Sequence, residues 1–374
     1  MTAANGAADA GTVLSVEDLR VYFYTRSGVV RAVDGIDLEI AKGEAVGLVG
    51  ESGSGKSQTA LAVMGLTTRP GRVESGRIVF NGMDLRRQSA EAIRNIRGRD
   101  IAMIFQDPMS SLNPVLRVGE QVADGMRVHQ PGRRRMAVVL DELLALHRLR
   151  RITGRIRARV VELFRRVRIP GSERRVRSFP HEFSGGLRQR VMIAAGLAWS
   201  PSLLIADEPT TALDVTIEAQ VLELIAELQQ EMEMGLLLIT HDIGLVAENC
   251  DRVYVMYAGR IVEEARVRDL FTNPRHPYTQ GLLASTPDLD DDQEWLVTME
   301  GAMPDLTEPF AGCAFYDRCP HRLDPRCAIE RPPLREVGTH HRVACFYDSP
   351  QAAGVEARRG AGEGSEVGPV GGPS

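Results

Sequence analysis

The sequence predicts an α/β fold whose buried parallel strands carry ligand chemistry at their carboxyl ends, and three stretches predict it. Glu44 to Ser57 reads Glu-Ala-Val-Gly-Leu-Val-Gly-Glu-Ser-Gly-Ser-Gly-Lys-Ser, an apolar run of strand length followed by a glycine-rich turn. Leu203 to Pro209 (Leu-Leu-Ile-Ala-Asp-Glu-Pro) is a continuous apolar run closed by two carboxylates, and Leu236 to Asp242 repeats the pattern with His241-Asp242 at its end. Apolar runs without alternation mark strands covered on both faces, as in parallel sheets, and ligands in such sheets sit beyond the carboxyl ends.

Taken in chain order, Val13 to Tyr24 and Arg31 to Ile40 are rich in β-branched, aromatic and alternating apolar residues and read as two strands joined through Thr25 to Gly28. They predict an antiparallel layer ahead of the first buried strand. Phe23 or Tyr24 can stack on an adenine ring or serve as a buried sheet aromatic. Ala45 to Val49 then leads into the spacing G-x-x-x-x-G-K-S, met in full from Gly50 to Ser57. Gly50, Gly53 and Gly55 allow consecutive amides to point at one anion. Lys56 reaches terminal phosphates, Ser57 can ligate Mg²⁺, and Gln58 to Leu66 continues as a helix whose N-terminus faces the same phosphates. A glycine-serine turn with a chance lysine would lack the flanking strand and helix.

Arg77 to Phe80, Asn81-Gly82 and Met83 to Leu85 read as strand, turn and strand. Ile101 to Phe105 is a short apolar run ending at Gln106, and Asp107-Pro108 stops it; Gln106 can reach a metal or the attacking water, or be an ordinary loop amide. Arg117 to Ser178 reads as mostly helical and is locally basic, with 15 arginines against four acids between Pro131 and Arg177. A solvated helical face is the plainer reading, contact with lipid headgroups or RNA the sharper one. Ser184-Gly185-Gly186 opens an Ala-rich helical stretch and forms a second anion-binding helix start. At the next buried strand Asp207 is placed to hold Mg²⁺ and Glu208 to take a proton from water. Val253 to Tyr257 and a turn at Gly259 follow. Beyond them the chain is punctuated by proline, and the tail from Ala352 to Ser374, like residues 1–12, is expected to be disordered.

Composition sets few limits. With 374 residues, 43% hydrophobic, 25% charged and a net charge of −5, the chain is an ordinary globular one with no global field favouring nucleic acid. There is no apolar run of about 18 residues and no signal peptide, so a cytosolic protein is expected.

Together Gly50 to Ser57, Gln106, Phe183-Ser184-Gly185-Gly186-Leu187, Leu203 to Glu208, Thr211-Ala212-Leu213-Asp214 and His241 occur in the order found in ABC transporter ATPases, and the chain resembles one ATPase subunit of that family. Asn273-Pro274-Arg275-His276-Pro277-Tyr278-Thr279-Gln280-Gly281-Leu282-Leu283 and the cysteine-bearing region after it resemble the C-terminal extension of oligopeptide and dipeptide (and nickel) importer ATPases. The resemblance implies a P-loop ATPase fold with a mixed sheet core, an antiparallel β layer, a helical subdomain and a small Cys-rich extension. The implied division is residues 13–265 for the cassette, with the helical subdomain at about 107–200. The extension takes 266–350, between a disordered N-terminus and a disordered tail at 351–374.

The implied activity is ATP hydrolysis driving uptake of peptides or related small solutes. Implied partners are a second ATPase subunit, favouring a heterodimer, two membrane permease subunits and an extracytoplasmic solute-binding protein, at the cytoplasmic face of the inner membrane. By resemblance, ATP is bound by Phe23, Gly50, Ser52, Gly53, Ser54, Gly55, Lys56, Ser57 and Gln58. Mg²⁺ is held by Ser57, Gln106 and Asp207, with Gln106 also coupling to the permease. Glu208 is the general base and His241 the γ-phosphate sensor. Asp214 makes a contact across the dimer, and Ser184, Gly185 and Gly186 bind the ATP of the opposite subunit. Phe183 and Leu187 depart from the commonest signature, Leu-Ser-Gly-Gly-Gln, while the phosphate-touching serine and glycines remain.

Of five cysteines, Cys313, Cys319, Cys327 and Cys345 crowd near the C-terminus, and four thiolates can close a zinc site or hold an iron-sulfur cluster. Spacing does not choose between them; resemblance to the importers, whose similar region is associated with a [4Fe-4S] cluster, favours the cluster. Cys250 stands apart and is expected to be a buried small hydrophobe. The rival function, a soluble ABC ATPase acting on nucleic acid or ribosomes, lacks the second cassette or long coiled coils usual in such proteins. A vestigial regulatory module is opposed by intact Lys56, Asp207, Glu208 and His241.

Overall fold

The computed structural model describes residues 11–106, 111–129, 154–211, 213–285, 299–322 and 324–347. The expectations for residues 1–10, Asp107-Pro108, the arginine-rich stretch at 130–153, Ala212 and the tail lie outside the described residues.

Two sheets face each other. Strands β1 (Thr12–Thr25), β2 (Gly28–Ala41), β4 (Gly71–Phe80) and β5 (Met83–Asp84) form the expected antiparallel layer in the order β2-β1-β4-β5. The second sheet combines β3 (Ala45–Val49), β6 (Ile101–Ile104), β7 (Leu203–Asp207), β8 (Gly235–Thr240), β9 (Arg252–Tyr257), β10 (Arg260–Arg266), β11 (Arg335–Gly338) and β12 (His341–Val343). Its order is β11-β12-β10-β9-β3-β8-β7-β6. The five strands from β9 to β6 are parallel, and β10, β12 and β11 extend one edge antiparallel.

The continuous apolar runs split by the two-residue period of a strand. Leu204, Ala206, Leu236 and Leu238 pack against helices Val118–Val128, Gly154–Arg166, Gly185–Gly196 and Val215–Met232. Leu203, Ile205, Leu237 and Ile239 face the opposite way, onto Leu14, Leu19, Ile36 and Leu38 of the antiparallel layer. Both faces are therefore dry, which is why these strands show no polar alternation.

The segment after β10 departs from the loop-rich extension read in the sequence. It shares a core with the sheet: Tyr278 and Phe315 are buried against Tyr257 of β9 in one cluster with Val49, Val253 and Val255, the Tyr257–Tyr278 and Tyr257–Phe315 ring centroids 4.6 and 5.3 Å apart. It also pairs Val343 and Arg342 of β12 with Glu263 and Glu264 of β10. Short polar strands such as Arg335–Gly338 carry little sequence signal, so this edge was not legible. Cys250, expected to be buried, is half-buried and packs against two apolar clusters, and desolvation pushes its thiol far above its usual range.

Asp34 joins these layers. Its carboxylate accepts from Tyr22 Oη at 2.7 Å, Arg260 Nη2 at 2.8 Å, Arg331 Nη1 at 3.0 Å and Arg20 Nη1 at 3.3 Å. Burial pushes the carboxyl up, but hydrogen bonds from Arg260 and Tyr22 and the charges of Arg260 and Arg331 outweigh it and hold Asp34 at about 2. A folded carboxyl that titrates below its unfolded value of about 3.9 contributes stability that is complete above about pH 4 and fades as pH falls toward 2. Asp34→Asn is expected to cost about 2–4 kcal/mol near neutrality. Urea midpoints of wild type and variant should keep a constant separation from about pH 8 to about pH 5 and converge below about pH 4; a separation that ignores acidification would disprove the carboxylate's role.

Candidate functional site

Parallel register builds the site. β3 pairs Val49 with Thr240 of β8, β8 pairs Ile239 with Asp207 of β7, and β7 pairs Ala206 with Ile104 of β6. The residues just past these ends are Gly50, His241, Glu208 and Gln106, so four separate segments deliver their polar groups along one edge.

The glycine-rich loop leaves β3 with its backbone pressed against neighbours. A Cβ on Gly50 would lie 2.1 Å from Met256 O, and one on Gly55, at φ +109°, would lie 2.1 Å from Ala32 O. Ser52 and Gly53 are exposed at the tip, and Ser54 is buried. Lys56 is buried, and its Nζ donates to Gly50 O at 2.7 Å and Glu51 O at 2.9 Å. Burial lowers its ammonium pKa, opposed by the charges of Glu208, Asp207 and Glu51. Helix Lys56–Val63 has no side-chain cap, so its first amides are free for an anion, and Gln58 is half-buried in its first turn. Ser57 Oγ donates to Asp207 Oδ1 at 3.0 Å. Burial raises the Asp207 carboxyl, with the Ser57 bond opposing. Ser57 and Asp207 could supply two oxygen ligands to Mg²⁺, which takes its remaining ligands from phosphate and water.

Glu208 stands directly after β7 in the left-handed region, φ +45°, a conformation that costs a non-glycine residue about 1–3 kcal/mol. Its amide donates to Ile239 O at 2.9 Å, which fixes the turn. The carboxylate accepts from Gln106 Nε2 at 2.7 Å and Thr211 Oγ1 at 3.0 Å, and His241 Nδ1 lies 3.5 Å from the other oxygen. Glu208 is 14% exposed and His241 63% exposed, so an oriented carboxylate sits under an accessible imidazole. The sequence assigned Gln106 to the metal and Glu208 to water; the structure joins the two directly. Thr211 was not singled out as part of the site, although it lies in a quoted motif.

The remaining expected residues lie in three places. Ser184 and Gly185 are exposed at the start of the 12-residue helix Gly185–Gly196, and the Ser184 side chain makes no capping bond. Gly186 is buried where a Cβ would sit 2.4 Å from Ile217 Cγ2, which seats this helix start on helix Val215–Met232. Asp214 caps that second helix, accepting from Ile217 N at 3.0 Å. Phe23 is partly buried, its ring 2.5 Å from where a Cβ on Gly71 would be, so it packs into the sheet. Tyr24 is 41% exposed and carries Arg72 4.3 Å from its ring centroid. Cys313, Cys319, Cys327 and Cys345 line one small cavity together with His276. Burial pushes Cys313 up to about 11 and Cys345 up to about 12. Among the described residues no group of three or more His, Cys, Asp or Glu side chains converges on a single metal-ion position.

A family model described as ABC transporter matches residues 33–211, and one described as oligopeptide/dipeptide transporter, C-terminal region, matches residues 262–327. A probable peptide ABC transporter ATP-binding protein of Sinorhizobium fredii is 46% identical over 339 residues, 90% of this chain and 95% of that one. The chain belongs to the ABC transporter ATP-binding proteins. The dipeptide transport ATP-binding protein DppD of Escherichia coli is 45% identical over 90% of this chain and 96% of its own. A solved dimeric structure of a bacterial ABC transporter cassette is 25% identical, with a TM-score of 0.57, covering 68% of this chain and 99% of that one. This ABC ATPase thus has the mixed-sheet P-loop fold of its family and is an ATP-hydrolysing transporter subunit. No helix among the described residues is long and apolar enough to cross a membrane.

The position of Glu208 generates a direct test. Glu208→Gln keeps the hydrogen-bonding shape but removes the base, so it should retain ATP binding while steady-state hydrolysis in a reconstituted complex falls by about 100-fold or more. Unchanged turnover would remove Glu208 from the role.

Proposed function

We propose that this ABC ATPase energises the import of peptides, such as di- or oligopeptides or related small solutes, through a membrane permease. The observation that carries the reading is the match to relatives named for peptide and dipeptide transport across both the cassette and the C-terminal region. ATP is held by Gly50 to Ser57 and Gln58, its adenine at the Phe23–Tyr24 edge, and Mg²⁺ by Ser57 and Asp207 with Gln106 close to Glu208. Glu208 takes the proton of the attacking water, and His241 meets the γ-phosphate.

Exposed Ser184 and Gly185, with an uncapped hydroxyl, support a dimer in which this helix start binds ATP on the opposite subunit, with Asp214 beside it. A second, different ATPase is the favoured partner, beside two permease subunits at the cytoplasmic face of the inner membrane and an extracytoplasmic solute-binding protein. The arrangement divides into a cassette at 13–265, with its helical subdomain at about 107–200, and a Cys-rich extension at 266–350. A soluble ATPase acting on nucleic acid or ribosomes is not favoured, because both matched relatives are named as transport proteins.

The extension is proposed to hold a [4Fe-4S] cluster on Cys313, Cys319, Cys327 and Cys345. The four thiols line one cavity, and the resemblance to importers whose similar region is associated with a cluster favours it over a lone zinc ion. His276 adds a second sign. Burial pushes it down to about 4, and its Nδ1 accepts from Tyr278 N at 3.0 Å, so the neutral ring carries its proton on Nε2. That Nε2 is buried without a hydrogen-bond partner among the described residues, a donor suited to sulfur acceptors. A bound cluster would supply an electron-accepting crosslink between three loop positions and Cys327 of the short helix Arg326–Ile329.

Two measurements test these readings. Detergent extraction of membranes should recover the chain with a permease and a solute-binding protein; recovery with ribosomes or nucleic acid instead would overturn the import reading. Anaerobic purification should give about four iron and four sulfide per chain, whereas stoichiometric zinc, or neither metal, would refute the cluster.

A further inference from the structure

Glu51, the second residue of the phosphate loop, is held from the C-terminal segment at both its amide and its carboxylate. The Glu51 amide donates to Tyr278 Oη at 2.8 Å, across 227 positions of sequence. Its carboxylate receives both arms of Arg318, Nη1 at 2.9 Å and Nη2 at 3.0 Å, across 267 positions. Its carbonyl accepts Lys56 Nζ at 2.9 Å. Every polar group of this residue is therefore engaged, in a loop whose glycines otherwise leave it free.

The partners are themselves rigid. Tyr278 is fully buried, its ring 4.6 Å from that of Tyr257 and 5.5 Å from that of Phe315. The Arg318 side chain is only 7% exposed; its Nε donates to Glu300 O at 3.0 Å and its Nη1 to Tyr257 Oη at 3.3 Å. Arg318 also directly precedes Cys319, so the segment that carries the thiols carries this contact.

A carboxylate inside a phosphate-binding loop needs such a neighbour. Unpaired, Glu51 would repel the incoming polyphosphate; Arg318 cancels its charge, while Tyr278 fixes its amide. We propose that Arg318 and Tyr278 are positioning residues of the phosphate loop, acting through Glu51 to set nucleotide affinity from the C-terminal segment. The proposal rests on the assignment of Gly50 to Ser57 to the nucleotide.

Charge cancellation predicts a suppressor pattern that a merely structural role does not. In the full-length chain, Arg318→Met should weaken ATP and raise KM by about tenfold, with kcat changed less than about threefold, and the defect should shrink at high salt. Adding Glu51→Gln should restore ATP affinity to within about threefold of wild type, although the ion pair is still absent. Tyr278→Phe, which removes the acceptor of the Glu51 amide, should weaken ATP by about threefold with little change in Tm. ATP affinity unchanged in Arg318→Met, or a double variant as weak as Arg318→Met, would overturn the proposal. Lys56→Ala separates it from the assignment beneath it. If Lys56→Ala binds ATP as wild type does, the loop assignment itself falls; if it loses ATP while Arg318→Met does not, only the positioning role falls.

Discussion

Hydrogen bonding among β3, β8, β7 and β6 runs in one direction and in register, so their carboxyl ends stop along one line. The proposed hydrolytic chemistry depends on that line. Strand ends about 4.8 Å apart bring Gly50, His241, Glu208 and Gln106 to one edge, where the proposed nucleotide would lie, though up to 191 residues separate them in sequence. Burial on both faces keeps the register single-valued, because a one-residue slip would turn Ile205 and Leu237 from the antiparallel layer into the helical side.

The same burial explains the electrostatics. Lys56 and Asp207 sit where desolvation disfavours both charges, and each is held by a neighbour that offsets this. Such a pair gains from a ligand carrying both phosphate and a divalent cation, since each charge then meets its complement in a dry setting. Glu208 reaches this position through a left-handed backbone that its bonds to Ile239, Gln106 and Thr211 compensate. Strain placed at one carboxylate and opposed by three contacts is how a fold fixes such a group without a rigid helix beneath it.

The cassette was legible because its signals are local. Apolar runs closed by Asp207-Glu208 or His241, and a complete glycine-lysine spacing, declare both strand and chemistry within about a dozen residues. The antiparallel layer was legible for the same reason. Contacts between residues far apart were not. Arg318 is one arginine among many, and nothing near it names Glu51 as its partner. His276 and Tyr278 were visible as a quoted motif, but their separate duties, toward the cysteine cavity and the phosphate loop, exist only once helix Pro277–Ala284 is packed. Strands β11 and β12 escaped notice because their pairing is fixed by partners rather than by pattern. Glu263 illustrates this: fully buried, it accepts from the amides of Arg275 and His276 and from His341 Nε2, at 2.7, 2.9 and 2.7 Å, and so stitches β12 to the helix start.

The two departures in the signature segment acquire a physical meaning from where they point. Phe183 is buried, with Arg175 5.1 Å from its ring centroid, and Leu187 packs into the helical core. Both changes are turned inward, where a larger or more apolar side chain fills space among helices. Ser184 and Gly185 are turned outward and keep the hydroxyl and the free amides. A helix start that is apolar behind and uncapped in front is suited to an anion supplied from outside its own chain. Lys56 meanwhile occupies the other anion-binding start, in a loop closed on one side by Arg318 and Tyr278. One chain thus presents a phosphate loop braced by its own C-terminal segment and a second donor surface with no phosphate loop of its own, which is the division of labour that a shared nucleotide interface requires.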